Sequence, residues 1–110
     1  MEKIYNKLVR DNIPEIIEAD NCIPIIRILS DEEYKIELEK KLYEEYQEVL
    51  ATTNTNDRIE ELADMLEIIE SLAHLERKTL EDVIEVAKVK SLKRGGFKKK
   101  IFLEKTIESE

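Results

Sequence analysis

Apolar residues recur at helical spacing through most of this chain. The clearest stripe is Ile59, Leu62, Met65, Leu66, Ile69, Leu72 and Ala73, which predicts an amphipathic helix from about Asp57 to Leu75. Upstream, Ser30 followed by Glu33 forms a capping box. It predicts a helix from about Asp31 to Leu50 or Ala51, with Ile36, Leu42, Tyr46, Val49 and Leu50 among its apolar positions. A polar turn, Thr52 to Asn56, separates the two, with Asn56 the expected N-cap. Thr79 predicts the cap of a third long helix, with Leu80, Val83, Ile84, Ala87 and Val89 facing inward and a stop at Gly95-Gly96. A short helix from Pro14 through Ala19 fits near the start, since proline is tolerated at a first helical position.

One stretch breaks this rhythm. Residues 22–29 are short, rich in isoleucine and interrupted by Pro24, which suits an edge strand. Residues 99–107 are the matching partner. The expectation is a small β element pairing residues near 22–29 and 99–107, packed beside an antiparallel bundle in a single mainly α domain spanning residues 1–110.

Composition narrows the function. Charged residues make up 40% and glycine and proline occur only twice each, which suits exposed helices and excludes a turn-rich β sandwich. The net charge of −8 argues against a binder of nucleic-acid polymers or anionic membranes. A small phosphorylated ligand remains compatible, because a metal can bridge its charge. A lone Cys22 permits no internal disulfide. No apolar run reaches the ~18 residues needed to span a bilayer, and Met1 to Tyr5 does not look like a signal peptide. A soluble, cytoplasmic protein is expected.

The acid is unevenly placed. Glu45 and Glu48 stand three apart on one expected helix, and Glu61 and Asp64 stand three apart on the next. Such pairs share a helix surface. Glu61 lies about 90° from the centre of its helix's apolar stripe, and Asp64 lies further round on the same side. Facing each other, the two pairs would repel unless they held a hard cation. Mg²⁺ favours oxygen ligands and shares substrate phosphates, which opens a route to phosphoanhydride hydrolysis. Thiolate or imidazole metals are poorly served by an isolated Cys22 and His74. Downstream, Lys90 and Arg94 share a helix face and could meet phosphate. The plainer readings are a solvated acidic face, cations favouring a helix C-terminus, and surface charges at Lys7 and Arg10.

The motif Glu44-Glu45-x-x-Glu48, eleven residues, then Glu60-Glu61-x-x-Asp64 resembles the pattern of the all-α nucleoside triphosphate pyrophosphohydrolases, the MazG-like and phosphoribosyl-ATP pyrophosphohydrolase-like superfamily. The opening Tyr5 to Ile17 and the tail Lys93-Arg94-Gly95-Gly96-Phe97 with Ile101-Phe102-Leu103 are similar to small house-cleaning members. The likeness runs over almost the whole chain. It implies a Mg²⁺-dependent enzyme, with Mn²⁺ as a substitute, that cleaves the α–β phosphoanhydride of a nucleotide to a monophosphate and pyrophosphate. By position it implies Glu45, Glu48, Glu61 and Asp64 as metal ligands, or three of them with the fourth orienting water. Lys90 and Arg94 carry over as phosphate contacts. It also implies a homodimer or homotetramer, which limited coverage of the apolar faces by three long helices independently suggests.

Two other classes fit the same residues. One is a non-catalytic acidic helical module that docks a basic protein. The other is a nucleotide-binding protein that has lost hydrolysis, against which stands the presence of all four acidic positions.

Overall fold

A computed structural model describes residues 1–109. Four helices follow in order: α1 (Ile13–Ala19), α2 (Asp31–Ala51), α3 (Thr55–Leu75) and α4 (Leu80–Arg94). Their starts are set by side chains as expected. The Ser30 hydroxyl accepts the Glu33 N–H at 3.2 Å, and the Glu33 carboxylate accepts the Ser30 N–H in return. Arg27 donates to the same carboxylate at 3.0 Å. Those contacts, with the Arg27 hydrogen bond foremost, hold the Glu33 carboxyl below the usual carboxylate range. At α4, Thr79 and Asp82 make the equivalent reciprocal pair. Helix α3 begins slightly earlier than the sequence suggests. Asn54, not Asn56, is its N-cap, and its side-chain oxygen accepts the Asp57 N–H at 2.9 Å.

The connection between α2 and α3 is only three residues long. Two 21-residue helices joined so tightly must run antiparallel and pack along their length. The turn is pinned by Arg58, which donates to the Val49 carbonyl at 3.1 Å. The seam buries Leu38 and Val49 of α2 and Ile68 and Ala73 of α3. This changes the picture of α3. Its contact with α2 follows the line Glu61, Asp64 and Ile68, so the acidic pair sits in register with a buried residue. Part of the predicted stripe is left open: Ile59, Leu62 and Leu66 are all exposed.

The expected β element does not form. Among the described residues there is no strand, and 22–29 and 99–107 run as irregular chain. The physical reasons are local. Lys100 takes a left-handed conformation (φ 59°) and closes a turn onto the Phe97 carbonyl, so the second segment bends where it should be extended. Pro24 removes a ladder donor from the first. No helix face covers either segment, and an uncovered two-stranded ladder is marginal.

Helix α4 contacts α3 more lightly and buries no residue. The chain is therefore open. Its radius of gyration is 19.3 Å, against about 13 Å for a compact domain of this length. Its accessible surface is 10732 Å², against about 6,300 Å² for a compact monomer of this mass. Among the described residues, no helix is long and apolar enough to cross a membrane.

Candidate metal and phosphate site

The antiparallel hairpin decides which acids meet. Glu45 lies six residues before the end of α2, Glu61 lies six residues after the start of α3, and Asp64 follows on the same face three residues later. Folding about the three-residue turn brings them level across the seam. One carboxylate oxygen from each of Glu45, Glu61 and Asp64 lies within 4.8 Å of the other two, and all three residues are partly buried.

Glu48 falls outside this group. It is exposed, and it lines the surrounding pocket without joining the three-carboxylate cluster. Helical geometry gives the reason. Position 49 is buried in the seam, and position 48 is rotated about 100° away from it. Glu44 also lines the pocket, with an oxygen 3.5 Å from Lys41 Nζ. Glu60 and Glu67 are exposed.

The pocket holds about 340 Å³ and is open to solvent on one side. Its electrostatics are dominated by the crowding of like charge. Partial burial pushes the Glu45 carboxyl up from 4.5 to about 7, assisted by a hydrogen bond to Glu61 and the charges of Asp64 and Glu61, against a weaker pull from Lys41. Burial and the neighbouring carboxylates thus favour the protonated form of Glu45.

The donor set is oxygen only, which fits a hard cation rather than a soft one. Oxygens around Mg²⁺ stand about 3 Å apart when adjacent and about 4.2 Å apart when opposed. One oxygen from each of the three residues lies within 4.8 Å of the others, close to that spacing. Glu48 is within the same pocket as a fourth oxygen donor.

The basic residues are arranged differently from the sequence expectation. Lys90 and Arg94 sit on the last turns of α4, and neither lines the pocket of this chain. The cations at the pocket come from elsewhere. Lys41 projects from α2, and Lys7 comes from the segment preceding α1. Arg10, from that same segment, donates from Nη2 to Asp64 Oδ1 at 2.7 Å. Lys7 and Arg10 read as ordinary surface charges in the sequence. The signal that could have singled them out is Leu8, an apolar residue between them that is half-buried and lines a small pocket with residues of α2.

Comparison with known proteins adds one relative. Over 54 residues the chain is 46% identical to an uncharacterized protein of Mycolicibacterium smegmatis. The match takes in 49% of this chain and 55% of that protein, so it spans about half the length of each. No family model matches the sequence. No solved structure matches it either.

Proposed function

We propose that this protein is a Mg²⁺-dependent nucleoside triphosphate pyrophosphohydrolase of the all-α, MazG-like type. The observation that carries the reading is the convergence of Glu45, Glu61 and Asp64 from two antiparallel helices, with their oxygens within 4.8 Å. Glu45, Glu61 and Asp64 would hold the cation, and Glu48, in the same pocket, would serve as a further ligand or orient water. When bound, Mg²⁺, or Mn²⁺ in its place, offsets phosphate charge and lowers the pKa of a coordinated water.

The reaction is a hydrolysis and needs no other co-reactant. Water attacks the α-phosphorus, the bond from that phosphorus to the α–β bridging oxygen breaks, and pyrophosphate leaves with that oxygen. A pocket carboxylate takes the proton from the attacking water. The products are a nucleoside monophosphate and pyrophosphate, in keeping with a house-cleaning role in the nucleotide pool.

Self-association belongs to this reading. The exposed Ile59, Leu62 and Leu66 on α3 and Val83, Ile84, Val86 and Val89 on α4 form apolar surface that a second copy would cover. The excess of accessible surface over a compact monomer is large enough for a dimer or tetramer interface.

A panel of ribo-, deoxy- and damaged nucleoside triphosphates, incubated with Mg²⁺ and followed by pyrophosphate release, tests the reading. Turnover that is abolished by EDTA and by Glu61→Gln supports it. No release from any substrate, with Mg²⁺ or Mn²⁺, defeats it. A protein that binds a non-hydrolysable triphosphate tightly without turnover would be a nucleotide-binding relative. One that binds neither metal nor nucleotide but docks a basic protein would be an acidic helical module.

A further inference from the structure

A metal held by acids is only half of a site for a polyphosphate. Three or four carboxylates facing a nucleoside triphosphate need cations beyond the metal, or the substrate is repelled. Lys41 meets part of that need, but it is already beside Glu44. The segment before α1 meets the rest, and its course over the bundle is what places it there.

That segment is anchored at two places. Asn6, Lys7 and Leu8 lie against Glu37, Lys40 and Lys41 of α2, around a smaller pocket of about 140 Å³. Leu8 is half-buried. Arg10 then reaches α3 through its ion pair with Asp64. The segment therefore crosses from one helix of the hairpin to the other, beside the acidic cluster. Lys3 and Lys7 both approach the Tyr5 ring, at 5.2 and 5.6 Å, which gathers further positive charge on the same stretch.

The Arg10 pairing is itself informative. Its side chain is 58% exposed and that of Asp64 is 41% exposed, and ion pairs in such settings are weak. A divalent cation competes for the same Asp64 oxygens. Once they are engaged, the guanidinium is left at the rim of the pocket, and its fork of N–H donors matches phosphate oxygens in a bidentate fashion.

We propose that Lys7 and Arg10 bind the substrate's phosphates, with Arg10 passing from Asp64 to phosphate when the cation takes the carboxylate. This rests on the metal-dependent reading above. It moves the phosphate-binding role within one chain from the end of α4 to the segment before α1.

The test uses the full chain and two probes, Mn²⁺ alone and Mn²⁺ with inorganic tripolyphosphate, followed by calorimetry, alongside steady-state turnover of any nucleotide the panel finds. Arg10→Ala should weaken tripolyphosphate binding and raise KM about tenfold. It should leave Mn²⁺ binding in the absence of phosphate equal or tighter, because a competitor for Asp64 is gone. Arg10→Lys should recover part of the loss, and Lys7→Ala with Arg10→Ala should exceed either alone. A purely structural Arg10 would instead weaken Mn²⁺ and tripolyphosphate binding together with the helical circular dichroism signal. That outcome overturns the inference, as does an unchanged KM in Arg10→Ala beside a raised one in Lys90→Ala/Arg94→Ala. The two proposals fail separately. Tripolyphosphate binding that depends on Arg10, without nucleotide turnover, removes the enzyme reading alone. Turnover that ignores Arg10 removes this inference alone.

Discussion

Replacing Glu45 by glutamine should stabilise the metal-free protein and abolish its response to metal. The sign follows from linkage. The Glu45 carboxyl rises from 4.5 to about 7 in the fold, so the folded state holds its proton more tightly than the unfolded chain. Stability is therefore lost as pH rises from about 4.5 to about 7, and the loss is complete above that window. Glutamine mimics the protonated form and never incurs the loss. A rise of this size would be worth about 3.4 kcal/mol in a group fully shielded from water. The pocket is open on one side, and solvent screening reduces the effect to about 1 kcal/mol. For a chain of this size that is a rise of about 5 °C in Tm. The assay is thermal unfolding by circular dichroism in EDTA, at pH 4 and pH 8. Glu45→Gln should match the natural protein at pH 4 and exceed it at pH 8. On adding Mn²⁺ at pH 8, the natural protein should gain stability and the variant should gain little. A variant that is less stable at both pH values would refute the crowding of charge on which the site rests.

Other outcomes follow from the fold. Ser30→Ala removes the acceptor for the Glu33 N–H and should lower stability by about 1 kcal/mol, read as a drop in denaturation midpoint. Ile68→Ala opens a hole at the level of Leu38 in a seam with few buried residues, and should cost about 2–4 kcal/mol, with broad loss of helical signal on mild heating. Light scattering should give at least twice the 13.0 kDa chain mass, and a single species at monomer mass would overturn the self-association argument.

The helices were legible because their ends carry local chemistry. Ser30 with Glu33, and Thr79 with Asp82, satisfy backbone donors within four residues, so no tertiary information is needed to find them. The three-residue turn was nearly as plain, although two asparagines competed for one cap. What was not legible depended on distant contacts. Apolar spacing gave α3 a broad stripe without saying which edge α2 would take, and α2 took the edge carrying Glu61 and Asp64. The β pairing of 22–29 with 99–107 rested on composition alone, and the left-handed turn at Lys100 is invisible to composition. Glu45, Glu61 and Asp64 were found together because helical spacing and a tight turn leave little freedom. Glu48 shared the spacing but not the seam. Arg10 lies 54 residues from Asp64, and no local pattern relates the two.

The products of hydrolysis test the central claim most directly. A nucleoside triphosphate turned over in ¹⁸O-labelled water, with the products resolved by ³¹P NMR, should give monophosphate and pyrophosphate, with the label on the monophosphate alone. The signal should vanish in Glu61→Gln and Asp64→Asn. A diphosphate with labelled inorganic phosphate, or turnover that survives loss of both carboxylates, would contradict a metal-held attack at the α-phosphorus between α2 and α3.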